Sequence, residues 1–319
     1  MTNPPTASTT SRSVRYLARA TAATTAVLLT AGGLVTSKGA GMAVPDWPTT
    51  YGYNMFTFPI SRWIGPIAFE HAHRLLGSLV GMLTVALAVA VWRCDSRRWM
   101  RVLACVAVVA VVIQGVLGGL RVIENERVLA LVHGSFAHSF FALMIVMALS
   151  TTEMWAEALA DPLDRARGQG AERLALVTTI AIYAQILLGA RLRHLMGTVF
   201  VHLGGAVLVI TLVVALRYRT NAASRTAPGT RMAFALMQLT WLQVALGFFA
   251  YAAKFMAPVP ELAPWPAVLV TVAHQVNGAV VFATAMAATL LVFRGLRGAL
   301  DLAHASAAAG APAGAGIGA

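Results

Sequence analysis

The chain has few charges and almost no cysteine. Charged residues make up 11% of its 319 positions, and acidic residues number 12 against 24 basic ones. A soluble domain carries about 25% charged residues, so a molecule wetted on all sides is excluded. Only Cys94 and Cys105 are present, and no CxxC or CxxCH pattern occurs. Zinc ribbons, thioredoxin chemistry and covalently attached haem are therefore excluded. The two cysteines flank one arginine-rich loop, which charge assigns to the reducing side of a membrane, so a structural disulfide is not expected. Strict alternation of polar and apolar residues is also missing, which excludes a membrane β-barrel.

Long apolar runs fill the space that charges leave. The composition is 58% hydrophobic, with a mean hydropathy of +0.73. Eight segments can be read as spanning helices, roughly 17–37, 68–92, 100–122, 128–150, 173–193, 197–216, 232–253 and 267–293. Each is close to the roughly 20 residues that a bilayer demands. The net charge of +12 does not point to nucleic acid, because the basic residues are scattered through short connections. Sixteen Lys and Arg fall on the side that holds both termini and seven on the other, with Arg74 inside a span. That bias predicts cytoplasmic N- and C-termini and, in a bacterium, a multi-pass protein of the plasma membrane.

The second half repeats the first. An offset of 129 residues carries His73 onto His202, Gln114 onto Gln243 and Gly118 onto Gly247, and His133 corresponds to His274 at an offset of 141. The expected fold is all-α: eight transmembrane helices arranged as two four-helix bundles related by a pseudo-twofold axis along the membrane normal. Residues 1–16 read as a disordered cytoplasmic N-terminus, 17–150 as the first bundle and 151–172 as a cytoplasmic linker. Residues 173–293 read as the second bundle and 294–319 as a disordered tail.

Four histidines occupy one level of this arrangement. His73, His133 and His202 are each about the sixth residue of their spans and His274 about the eighth. At 1.5 Å per residue, all four lie about 8–12 Å below the outer edge. An imidazole in a span is costly and needs a partner. Two per bundle, facing each other, suit the two axial positions of a haem iron. Zinc or copper competes less well, since a zinc site takes three or four protein ligands. The plainer alternative is hydrogen bonding between helices. His71 and His138 are out of register with the ligand faces, His194 falls in a short outer loop and His304 in the tail, and all four read as structural or exposed.

Glu70 precedes His73 by one helical turn, while the corresponding position in the second half is Val199. An acid beside one histidine pair makes the two units chemically unequal: the first is read as reactive, the second as an electron carrier or structural support. The alternative is an ion pair with Arg74. Gln114 and Gln243 read as interhelical hydrogen-bonding groups, with glycines permitting close approach. Arg121, Arg191 and Arg193, at the outer edge, are candidates for haem propionate contacts.

With these residues in view, the chain resembles the bacterial and mitochondrial haem A synthases from about Ala31 to Phe293. The likeness rests on AGGLVTSKGAGMAVPDWPTTYG at 31–52, EHAHR at 70–74, IQGVLGGLRV at 113–122, LVHG at 131–134 and the segments around His202 and His274. It implies an oxidoreductase that converts the C8 methyl of haem O to the formyl of haem A for terminal oxidases, with water supplying the oxygen. On matching positions, His73 and His133 would ligate the substrate haem, His202 and His274 a haem b cofactor, and Glu70 would be the catalytic acid. Implied partners are haem O and haem A, haem O synthase, cytochrome c oxidase assembly, the lipid bilayer and an electron acceptor of unknown identity. The chain departs from the pattern at Val35-Thr36, where many members carry Thr-Arg, and lacks the cysteine pair that some carry in the first outer loop. The competing readings are a diheme b-type electron-transfer cytochrome, whose haems commonly sit at opposite depths, and a transporter built on the same repeat.

Overall fold

Backbone that crosses hydrocarbon must satisfy its own hydrogen bonds, so apolar segments of this length become helices. The structure, a computed structural model, describes residues 11–195, 197–256 and 264–309. It contains α1 (Arg12–Ser37), α2 (Pro66–Cys94), α3 (Arg98–Glu124), α4 (Arg127–Leu149), α5 (Glu153–Ala160), α6 (Ala171–Leu195), α7 (Val199–Ala223), α8 (Pro228–Met256) and α9 (Trp265–Ala309). No strand occurs among the described residues, and two single-turn 3-10 helices, Met55–Thr57 and Ile60–Arg62, shape the loop between α1 and α2. All helices except α5 are long and apolar enough to span a membrane. The protein is thus an all-α polytopic membrane protein.

Prolines at the first helical position start α2 and α8, where the missing N–H costs nothing. Buried Thr21, Thr25, Thr84, Thr220 and Thr240 each donate to a carbonyl four residues earlier, so their hydroxyls can lie in an apolar interior. In the first half α1 packs on α2 and α4, and α3 closes the ring against the same two helices. In the second, α6 and α8 pack on both α7 and α9. The halves meet where α1 and α4 contact α9, and α4 contacts α6. Leu29, Phe141, Ile182, Leu236 and Phe282 form a core cluster across that seam. Within its spanning segment α9 is 67% buried against 17% for α7, so α9 is central and α7 peripheral. Met82, Val109 and Val207 point outward, as side chains solvated by lipid do.

Three boundaries differ from the sequence reading. Helix α1 begins at Arg12 rather than 17, with Val14 and Ala18 fully buried, so residues 12–16 are not disordered; residues 1–10 lie outside the described part. The 151–172 linker contains α5, packed on α9 and α8. The expected tail from 294 is helical as far as Ala309, and residues 310–319 lie outside the described part. The reason is tertiary. A Cβ on Gly298 would lie 2.6 Å from the Leu159 carbonyl, so the glycine lets α5 settle directly on α9. Arg294 fixes the contact by donating to the Trp155 carbonyl (2.6 Å), with its guanidinium 4.5 Å from the Trp155 ring centre.

Candidate functional site

The four histidines stand on α2, α4, α7 and α9, which occupy opposite corners of the two helix rings. The intervening helices α1, α3, α6 and α8 each offer a glycine to one imidazole. A Cβ on Gly32 would fall 3.1 Å from Cε1 of His73; on Gly118, Gly189 and Gly247 it would fall 3.0 Å from Cε1 of His133, His202 and His274. The same notch is thus cut four times, and any larger residue would push the ring out of place.

Behind three of the rings stands a glutamine. The Gln114 amide donates to the His133 carbonyl (3.0 Å), that of Gln185 to the His202 carbonyl (2.7 Å) and that of Gln243 to the His274 carbonyl (3.0 Å). Gln185 escaped the sequence reading, although its spacing from Gly189 equals that of Gln114 from Gly118. His202 and His274 face each other with ring centres 6.4 Å apart and planes at 76°. His133 lies within electrostatic reach of both His73 and Arg121.

These residues fit a haem held by two imidazoles. The Nδ1 atoms of His73, His133 and His274 are buried without a hydrogen-bond partner, an expensive condition that a ligand relieves. A metal bound at about 2 Å by one nitrogen from each ring places the ring centres roughly 6–7 Å apart, which matches the second pair. Among the described residues no group of three or more His, Cys, Asp or Glu could hold a metal, which argues against zinc.

The two pairs differ in what covers them. Glu70 is 3% exposed. Its Oε1 accepts from Arg74 at 2.7 Å and its Oε2 from the Val44 N–H at 3.0 Å. Arg74 spends its remaining donors on the loop, reaching the carbonyls of Val44 (2.9 Å), Asp46 (2.7 Å) and Thr49 (3.0 Å). Sequence reading saw Arg74 only as a partner for Glu70; the carbonyls that it gathers are 25 to 30 residues away. Trp47 lies flat against Gly119, where a Cβ would come within 2.4 Å of the indole. Arg121 donates to the Gly41 carbonyl at 3.1 Å.

The loop is also ordered from within. Asp46 accepts from Thr49 (2.5 Å), the Tyr51 N–H (2.7 Å) and the Gly52 N–H (2.9 Å). Partial burial alone would raise the Asp46 carboxyl, but these donors outweigh it and hold the group below its ordinary value. Tyr51, at φ 50, is kept in a left-handed conformation by this turn, and its hydroxyl donates to the Ala43 carbonyl. His71 is fully buried beneath the loop, 3.3 Å from the Thr50 hydroxyl and against the rings of Phe58 and Trp63. His138 is also buried, and its Nδ1 meets the Gly134 carbonyl at 2.7 Å. Among the described residues no such loop covers the second pair, and α6 and α7 are separated by residues 196–198 alone.

Of the three outer arginines, two approach the histidines. Arg121 is within electrostatic reach of His73 and His133. Arg193 is within reach of His274 and donates to Gln275 (3.1 Å) and Ser37 (2.8 Å), bridging α9 and α1. Arg191 is exposed, its stem beside Gly197. His194, expected in a loop, belongs to the last turn of α6.

Fold and site together define a polytopic helical membrane protein with two buried histidine pairs in matching glycine-notched sockets. Residues 66–201 match the family described as cytochrome oxidase assembly protein, which includes α2, α3 and the His73 and His133 socket. Heme A synthase of Alkalihalophilus pseudofirmus is 28% identical over 172 residues, 53% of this chain and 55% of that protein. That of Halalkalibacterium halodurans is 28% identical over 191 residues, covering 59% and 61%. That of Symbiobacterium thermophilum is 29% identical over 256 residues, covering 70% and 82%. The matched region therefore spans little more than half the length of the first two relatives. Over these segments the chain is similar to haem A synthases.

Proposed function

We propose that this protein is a haem A synthase, oxidising the C8 methyl of haem O to a formyl group. What carries the reading is an inequality between two otherwise matching sockets: the His73 and His133 pair has the Glu70–Arg74 ion pair and an ordered loop above it, and among the described residues the His202 and His274 pair has neither. In this reading His73 and His133 hold the substrate haem O, while His202 and His274 hold a haem b cofactor. The bound haem b supplies a one-electron relay. Arg121 attracts the substrate's propionates and Arg193 those of the cofactor.

The overall change, methyl plus water to formyl plus four protons and four electrons, needs an external electron acceptor. Glu70 is ion-paired with Arg74, and its charge stabilises cationic character developing at the methyl before water adds. Both of its oxygens already accept hydrogen bonds, which favours this electrostatic role over proton abstraction. The loop from Gly41 to Gly52 excludes bulk water, so that one admitted water competes with none. Placing sixteen basic residues on the inner side puts both termini in the cytoplasm of a bacterial cell and both sockets near the outer face of the plasma membrane. Product haem A then passes to terminal oxidase assembly, and haem O arrives from its own synthase.

The test is extraction and mass analysis of the haems bound to the purified protein. Haem B together with haem O or haem A is expected; haem B alone, at two per chain, overturns the reading in favour of a diheme electron carrier.

A further inference from the structure

Each histidine-facing glycine has a residue four positions earlier on the same helix, one turn further into the membrane. On α3, α6 and α8 it is Gln114, Gln185 and Gln243; on α1 it is Leu28. The sockets otherwise agree to 0.1 Å in the glycine-to-ring approach. Two of the glutamines also touch the rings themselves. The Gln185 amide nitrogen is 3.1 Å from His202 Nδ1, and that of Gln243 is 3.4 Å from His274 Nε2. The amide oxygens of Gln114 and Gln185 are buried without a partner, while that of Gln243 accepts from Asn277 at 2.8 Å. A side-chain amide can donate to one ring state and accept from the other, so two buried, unsatisfied amide oxygens lie ready for an imidazole N–H. Leu28 offers His73 only its backbone carbonyl.

We propose that Gln114, Gln185 and Gln243 are positioning residues that lock three of the four axial imidazoles, and that Leu28 leaves His73 as the loosely held one. Partners behind a ligating histidine fix its tautomer and orientation and strengthen it as a ligand. The inference rests on the haem-binding reading above and deepens it. A cofactor meant to stay is gripped on both sides, by His202 backed by Gln185 and His274 backed by Gln243. A substrate that must enter and leave is gripped on one side, by His133 backed by Gln114, and meets a freer ligand in His73. The reactive socket is thus built for exchange by one apolar substitution at the end of a shared motif.

The experiment uses the full-length purified protein and apomyoglobin as a haem trap. Methionine matches glutamine in size but cannot form these hydrogen bonds. Gln185→Met and Gln243→Met are expected to lose haem b to the trap with an affinity lowered about 10–100-fold and a shifted reduction potential, while the haem-free proteins keep their melting temperature. Wild-type affinity and potential in both variants overturn the proposal. Leu28→Gln covers the case in which a methionine variant does not fold. Installing the fourth amide should slow haem loss from the first socket by a similar factor, and an unchanged rate also overturns the proposal. His202→Ala separates the two levels of argument. If it loses haem while the glutamine variants behave as wild type, the positioning role alone fails; if it keeps a full haem complement, the underlying reading fails.

Discussion

His202 and His274 approach from opposite corners of the second helix ring to within 6.4 Å between ring centres, their planes nearly perpendicular at 76°. Among the described residues neither ring is pinned by an acid, and the residue one turn before His202 is Val199 rather than a carboxylate. The pair is suited to holding a group rather than acting on one. Replacing either histidine by Ala is expected to lower bound haem b and abolish its low-spin spectrum, because one axial bond is lost. Full haem b content and an unchanged spectrum in both variants would remove the assignment.

The glycine notches give a second test that bypasses the histidines. At Gly118 a Cβ would already be 3.0 Å from the His133 ring, whereas at Gly77 nothing lies within 4 Å. Gly118→Val is expected to displace His133, at a cost of about 1–3 kcal/mol in overpacking, and to lower haem binding in the first socket. Gly77→Val should leave binding unchanged. Equal behaviour of the two variants, followed by haem titration, contradicts the notch.

Much of this was legible in the sequence because the membrane leaves few choices. Apolar length gave eight spans, all of which the structure contains, and the offset of 129 paired His73 with His202 before any contact was known. What was hidden depends on tertiary contact. The burial of Val14, the seating of α5 on Gly298 and the helical extension of α9 follow from surfaces that meet only after folding. Gln185 was recoverable from its spacing to Gly189. The gathering of the Val44, Asp46 and Thr49 carbonyls by Arg74 was not, since backbone acceptors leave no trace in residue identity.

The loop above the first socket should respond to acid. The Asp46 carboxyl is held below its ordinary value of 3.8 by the donors of Gly52, Thr49 and Tyr51 against the opposing effect of burial. A depressed folded value means that its contribution is complete above the unfolded value and fades as pH falls through the folded one. Hydrogen exchange at the Tyr51 and Gly52 amides, corrected for intrinsic rates, should therefore stay protected from pH 7 to about pH 4 and rise below it. Asp46→Asn should raise exchange at pH 7. Protection lost already near pH 6 would point to a different group as the anchor.

Orientation can be read with a thiol reagent that does not cross membranes. Ile60 is 83% exposed in the loop between α1 and α2, so Ile60→Cys should be labelled in intact cells. The natural Cys94 and Cys105 are also free and exposed, but lie toward the arginine-rich end, and should react only after the membrane is opened. The reverse pattern overturns the assignment of both termini to the cytoplasm.

The last test separates an enzyme from an electron carrier. Glutamine is nearly isosteric with glutamate and keeps an acceptor for Arg74, so Glu70→Gln should preserve the 2.7 Å contact and the seat of the loop. It removes the negative charge and, with Oε1 kept by Arg74, the acceptor of the Val44 N–H. If that charge stabilises the oxidised methyl, haem O should still bind, yet it or a hydroxylated product should accumulate in place of haem A, with a rate about 10²–10³ lower. A diheme carrier would show at most a shifted potential and no change in the cell's haem types. Arg74→Gln provides the contrast, because it releases three loop carbonyls as well as the ion pair. It should therefore raise hydrogen exchange across residues 44–52, whereas Glu70→Gln should raise it at the Val44 amide alone. Normal haem A levels in cells relying on Glu70→Gln would sink the role assigned to this carboxylate.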